Sequence, residues 1–269
     1  MPARRPPPSR RLVATAGVTL AAVLVAGAAA LRAPEPPAAH VAAAGTPPPP
    51  IVPAFAPGTP RRLGSTRHVS VWAPVARAAA ARSAATGGAP VIARLSPATP
   101  EGTRNTVAVL ARTRDSSGTP WVRVGLAVLP NGTTGWVPRT ALGGYGTVRT
   151  RLDVDLTALR ATLYRNGRAV FTAAVGIGTA SAPTPTGQFY IRNRLVRYRS
   201  PAYGPVAFGT SARSPTATDW PAGGFVGIHG TDRPDLVPGR ISHGCIRMRN
   251  PDVRELARRM PVGTPVTIH

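Results

Sequence analysis

"GIHGTDRPDLVPGRISHGCIRMRN", residues 227–250, holds the single cysteine of the chain, Cys245, and two of its five histidines, His229 and His243. One cysteine makes no internal disulfide, so the folded parts must be held by packing alone. Read as an extended segment, Ser242 to Met248 places His243, Cys245 and Arg247 on one face and Ile246 and Met248 on the other, where they anchor it in a core. Gly244, lacking a side chain, lets another backbone or a substrate approach between imidazole and thiol. A free thiol has a pKa of about 8.5, and positive charge from Arg247 or the histidines raises its thiolate share near neutrality. A histidine within hydrogen-bond reach takes the thiol proton and later protonates a leaving amine, the logic of Cys–His acyl transfer. The residues leave open which histidine does so. Backbone N–H groups at Gly244 and Cys245 are candidate oxyanion donors, worth about 3 kcal/mol each in comparable sites.

Working outward, "NPDVRELARRM" predicts a short helix with Asn250 as N-cap, Pro251 in the first helical position and Asp252 complementing the dipole. Val253, Leu256, Ala257 and Met260 fall on one face of it, and "TPVTIH" closes the chain as a strand. Upstream, "LDVDLTALRATLYRNGRAVFTAAVGIG" predicts a β-hairpin turning on the Asn-Gly pair of "RNGR", and "TPTGQFYIRNRL" a turn and strand. Arg192, Arg194, Arg197 and Arg199 alternate as an exposed strand face would. Trp220, in "TDWPAGGFVGIHG" just ahead of His229, reads either as a core residue or as the border of a substrate groove.

Taken in order, these motifs resemble the L,D-transpeptidase catalytic domain, the YkuD family, over residues 150–269. The family signature is His-Gly, then Ser/Thr-His-Gly-Cys, an apolar residue and Arg or Asn. It stands here as His229-Gly230, twelve residues from Gly230 to Ile241, then "SHGCIRMRN". "PTPTGQFYI", Pro183 to Ile191, matches its TP-x-G-x-F strand, and "VDL", Val154 to Leu156, its opening strand. The resemblance implies Cys245 as nucleophile and His229 as proton donor and acceptor. It implies that His243 shapes the site, and that Gly230, Gly244, Arg247 and Asn250 belong to its surrounding motif. It further implies attack on the third residue of a peptidoglycan stem tetrapeptide with release of the terminal D-alanine. A neighbouring stem's amine then resolves the thioester into a 3→3 cross-link. No metal or organic cofactor is expected, and carbapenems are expected to acylate the thiol. Water as acceptor would make the chain an L,D-carboxypeptidase, and a wall-tethered protein would use the same acyl-enzyme.

Other readings of the same residues are a buried, inert thiol and a zinc site from His229, His243 and Cys245 with Asp232 or Asp235. The one-residue gap between His243 and Cys245 departs from usual zinc-ligand spacing. A non-catalytic cell-wall-binding protein is a further alternative.

Toward the N-terminus, residues 66–145 carry short β-favouring runs, "RHVSVW", "APVIARL", "NTVAVLART" and "TPWVRVGLAVL", then a "PNGTTG" turn and a "GWV" strand. This pattern resembles the bacterial SH3-like module, a small β-barrel. The expected fold class is therefore mainly β: an SH3-like barrel followed by a β-rich YkuD-like domain with a short C-terminal helix. Residues 33–65 are a Pro/Ala-rich linker that holds an extended form of about 3 Å per residue. Ahead of it, four arginines in "MPARRPPPSRR" precede the uncharged run Leu12 to Leu31, so residues 1–32 read as a signal peptide or an N-terminal membrane anchor. An extracytoplasmic location follows, in the wall or on the outer face of the cytoplasmic membrane. The formal net charge of the 269 residues is +23, and every basic residue counted is arginine. Without lysine, Schiff-base chemistry, a lysine base and a P-loop are excluded. The charge favours polyanions; export removes nucleic acid and leaves peptidoglycan, with an anionic wall polymer or membrane surface as further partners. His40, His68 and His269 are read as solvated, and Trp72, Trp121 and Trp136 as core or barrel residues.

Overall fold

Eight short strands build the N-terminal sheet: β1 (Arg61–Arg62), β2 (Ser70–Pro74), β3 (Ala79–Arg82), β4 (Val91–Leu95), β5 (Thr106–Arg114), β6 (Pro120–Gly125), β7 (Thr134–Pro138) and β8 (Gly146–Val148). The computed structural model describes residues 59–62, 68–196, 200–216, 220 and 223–269. Leu12 to Leu31, His40, Arg197 and Arg199 lie outside the described residues. No helix among the described residues is long and apolar enough to cross a membrane.

In the first sheet the strands run β4-β3-β7-β6-β5-β2-β8, with β1 added against β5. Alternation along β5 and β6 turns Val107, Val109, Ala111, Val122 and Val124 inward, as a period of two requires. The sheet reaches Arg61 on one side and Val148 on the other, so it draws in the end of the expected linker and runs past residue 145. β3 arises from "AAAR", whose alanines carry no β preference of their own; antiparallel pairing with β4 and β7 holds it.

The second sheet comprises β9 (Thr150–Asp155), β10 (Arg160–Arg165), β11 (Arg168–Ala174), β12 (Gly176–Gly178), β13 (Gly187–Val196), β14 (Val206–Arg213), β15 (Phe225–His229), β16 (Gly239–Ser242), β17 (Ile246–Arg247) and β18 (Pro265–Ile268). The helix α1 (Asn250–Arg259) precedes β18. The expected hairpin is β10 and β11; Asn166 and Gly167 at its turn have φ of 51° and 81°, the pair of positive values that Asn-Gly accepts. The strand order is β11-β10-β9-β18-β13-β14-β15-β17-β12-β16. β13 joins two halves: Gly187 to Tyr190 pair with β18, whereas Ile191 and Asn193 to Val196 pair with β14, with a register shift between Ile191 and Asn193. Both halves bury side chains in one core, with Leu152, Val154 and Leu163 from one and Phe208, Val226, Ile228 and Ile246 from the other. Val253, Leu256 and Met260 of α1 enter the same core, with Ala257 half-buried beside them.

The alternating arginines of β13 are not one solvent face. Arg194 is exposed, but Arg192 is buried and ion-paired with Glu101 (2.7 Å). An inserting carboxylate from the N-terminal sheet's side turns the expected solvated position into an interior one.

Candidate active site

Strand pairing brings the two halves of the 227–250 motif together. β15 is buried along its whole length and lies between β14 and β17. Its pairing with β17 is parallel, Ile228 opposite Ile246 and His229 opposite Arg247, so Cys245, the residue before β17, arrives beside Gly227. The Gly227 N–H donates to Cys245 Sγ at 3.3 Å. A parallel neighbour needs a crossover, and residues 230–245 supply it, which is why the motif separates its two histidines. The crossover includes β16, which runs parallel to β12 on the side away from β17.

Between β16 and β17 the chain bends sharply, and here the expected alternation fails. Gly244 sits at φ 118°, a left-handed value that a side chain resists. His243 is consequently exposed while Cys245 is 2% exposed, so the two do not share the face that an extended strand would give them. Ser242 closes the bend, its Oγ donating to the Cys245 carbonyl (2.5 Å) and accepting from the Gly244 N–H (3.2 Å). Thr184, from the upstream TP-x-G motif, supports it from below: its Oγ1 donates to the Gly244 carbonyl (2.9 Å) and accepts from the Gly178 N–H (2.9 Å). Arg247 is half-buried, between His229 on one side and Gly176 on the other in the ladder.

His229 is 2% exposed, and its Nδ1 lies 2.6 Å from the Gly230 carbonyl. A carbonyl oxygen only accepts, so Nδ1 carries the proton and Nε2 is the basic nitrogen. The Tyr203 ring packs on the imidazole, centroids 4.7 Å apart. A Cβ on Gly230 would run into Asn250 Oδ1 and the Gly204 backbone, which explains the glycine after the histidine. Asn250 is not the N-cap: Arg249 precedes the helix as cap, without a side-chain cap bond, and Asn250 opens α1. Its Oδ1 instead accepts from the Thr231 N–H (3.0 Å), fixing the backbone that leaves His229.

Trp220 is 1% exposed and belongs to a buried cluster with Leu195, Tyr203, Ala207, Phe225 and Cys245. It is therefore a wall behind the thiol and not the rim of a groove. Asp232 and Asp235, proposed with the zinc alternative, are exposed, and Asp235 pairs with Arg233 (3.3 Å). Among the described residues no group of three His, Cys, Asp or Glu side chains is placed to hold a metal ion. His269 is exposed but bonded to Asp153 (2.9 Å), a hydrogen bond that raises its pKa. Tyr203, Thr184 and Ser242 were not among the sequence candidates; their contacts reach across the fold, and only Ser242 lies inside the motif.

A buried thiol at the entry to β17 and a tautomer-fixed imidazole on the adjacent parallel β15 define a thiol–imidazole site on a β scaffold. The family model for the L,D-transpeptidase catalytic domain, YkuD, matches residues 149–268. YkuD of Bacillus subtilis strain 168, named as an L,D-transpeptidase, is 40% identical over 123 residues, 46% of this chain and 68% of its own length. Its namesake in Bacillus licheniformis is 36% identical over 122 residues, covering 45% and 67%. Among solved structures, the catalytic domain of the Enterococcus faecium L,D-transpeptidase is 26% identical over 45% of this chain and 96% of that one, with a TM-score of 0.34. The chain belongs to the L,D-transpeptidase family of enzymes.

Proposed function

We propose that the protein is an exported cysteine acyltransferase that forms 3→3 cross-links between peptidoglycan stem peptides. The observation that carries this reading is the parallel register of β15 and β17, which puts the Gly227 N–H on Cys245 Sγ and the fixed imidazole of His229 two residues further along the same strand. A donor to sulfur favours the thiolate. His229, with its Nδ1 proton held by Gly230, accepts the thiol proton at Nε2. Cys245 Sγ then attacks the carbonyl carbon of the stem's third residue. The C–N bond to the terminal D-alanine breaks, and the imidazolium delivers its proton to that leaving amine. A side-chain amine of a second stem attacks the thioester, His229 takes its proton, and the new amide leaves as the thiol is restored. His243, exposed at the bend, and Arg247, opposite His229, are placed to shape the substrate's approach.

The wall's carboxylates suit a chain of formal net charge +23. The uncharged run Leu12 to Leu31 supports export, with the Pro/Ala-rich stretch from residue 33 up to β1 as a spacer and the N-terminal sheet as an SH3-like module. The test is incubation of the protein with disaccharide tetrapeptides and mass analysis of the products. Equimolar D-alanine and a cross-linked dimer are expected from wild type and neither from Cys245→Ala. Free tripeptide with no dimer would make water the acceptor, and no D-alanine at all would overturn the reading.

A further inference from the structure

The sheet ahead of the catalytic unit sends one carboxylate into it. Glu101 lies at the tip of a tight loop closed by the Thr99 N–H to Thr103 carbonyl bond (2.8 Å), the Gly102 N–H to Thr99 carbonyl bond (2.9 Å) and a hydroxyl pair of Thr99 and Thr103 (2.8 Å). Its side chain is 0% exposed. Oε1 accepts from Arg192 Nη2 (2.7 Å) and from the Trp220 indole N–H, and Oε2 accepts from Asn193 Nδ2 (3.2 Å). Asn193 Nδ2 also donates to Thr103 Oγ1 (2.8 Å). Burial works to raise the Glu101 pKa, but the Arg192 charge and the hydrogen bonds of Thr99, Trp220 and Arg192 outweigh it and hold the carboxyl ionised.

The indole that this carboxylate holds packs against β14 and β15. A Cβ on Gly227 would run into its six-membered ring, and one on Gly209 would come within 3.3 Å of it. Gly227 is the residue whose N–H bonds Cys245 Sγ. The indole also meets the Tyr203 ring edge-on (5.8 Å, 80°), and Tyr203 packs on His229. One carboxylate therefore reaches both reactive side chains through a single buried tryptophan. The docking that delivers it is fixed elsewhere as well: Asn131 brackets the Arg213 backbone with two bonds (2.8 and 2.9 Å), and Tyr190 Oη donates to the Gly125 carbonyl (3.0 Å).

We infer that Glu101 is a positioning residue for the Cys245–His229 pair, acting through Trp220, so that the N-terminal sheet completes the active site and does more than tether it. The inference rests on the acyl-transfer reading above only for the meaning of "active"; the thiol's environment is measurable without it. Trp220→Phe keeps the ring over Gly227 and removes the bond to Glu101, whereas Glu101→Gln keeps the size and removes the charge.

The experiment measures, on the whole protein, the rate of Cys245 alkylation by iodoacetamide against pH and the rate of acylation by a carbapenem. Wild type, Trp220→Phe, Glu101→Gln and the double variant are compared, with circular dichroism and melting as the check on folding. Each single variant is expected to slow acylation at least about tenfold, since misplacement by 1 Å costs on the order of 100-fold at such sites. The midpoint of the alkylation profile is expected to move to higher pH as the Gly227 bond to sulfur loosens, a change that loss of stability alone does not produce. The double variant is expected to be no slower than the slower single one, because both cut the same path. Folded variants that keep wild-type rates and an unmoved profile would overturn the coupling. A wild type that is alkylated but not acylated would sink the acyl-transfer reading while alkylation still decides the coupling. If Glu101→Gln fails to fold, Trp220→Phe decides alone.

Discussion

The hydrophobic cluster of the N-terminal sheet is small and dry, built from Ala73, Val75, Ala81, Val107, Val109, Val122, Val124, Leu126, Val137 and Leu142, and the uncharged Thr99 and Thr106 are the polar residues buried on that side. The catalytic unit buries larger side chains, and among them Thr184, Arg192, Asn193, Thr210, Ser211, His229, Thr231 and Ser242. A buried polar group is costly unless bonded, so its presence marks a place where something other than packing is being specified. The first sheet is built to be stable; the second accepts polar interior positions to hold a bend, an imidazole and a thiol in register. Glu101, outside the first sheet's own core, is where the dry unit contributes to the polar one.

That contrast can be broken by comparing substitutions in the two regions. His229→Gln should lower D-alanine release by about 10²- to 10⁴-fold, the range for a lost general acid–base, with the melting temperature preserved. Gly227→Ala forces a methyl into the Trp220 ring and should cost about 1–3 kcal/mol of stability as overpacking, and slow thiol acylation as well. Val137→Ala, an excision in the dry core, should cost about 2 kcal/mol in denaturant melts while leaving acylation of the folded protein unchanged. An equal loss of acylation there would erase the distinction between the regions. Smaller again is a pH effect: the Glu101 carboxyl, lowered from 4.5 by folding, contributes stability above that value and loses it as pH falls through the folded pKa. The melting temperatures of wild type and Glu101→Gln should therefore converge on acidification. The smallest change is expected from His269→Ala. The imidazole pKa is raised from 6.5, so its pairing with Asp153 stabilises below that value and fades as pH rises through the folded one. Melting curves at high pH should coincide with wild type.

Local chemistry was legible in the sequence. Asn166-Gly167 announced its hairpin through positive φ, and α1 its buried face through spacing. Cys245 and His229 stood out through residue type and order. Contacts between distant segments were not legible. "AAAR" lies outside the β-favouring runs read from the sequence and becomes β3 through its pairing with β4 and β7. Arg192 looks solvated until Glu101 reaches it across the fold, and Asn250 looks like a cap until Thr231 is placed against it. The extended reading of Ser242 to Met248 overlooked what Gly244 permits: a bend at φ 118° that sends His243 outward and Cys245 in.

The most direct test of the central claim is intact-protein mass spectrometry after brief exposure to a carbapenem, comparing wild type with Cys245→Ala and His229→Ala. A stoichiometric adduct on wild type, absent without Cys245 and slowed without His229, is the predicted result. A folded wild type that gains no adduct, or an adduct that survives Cys245→Ala, would contradict it.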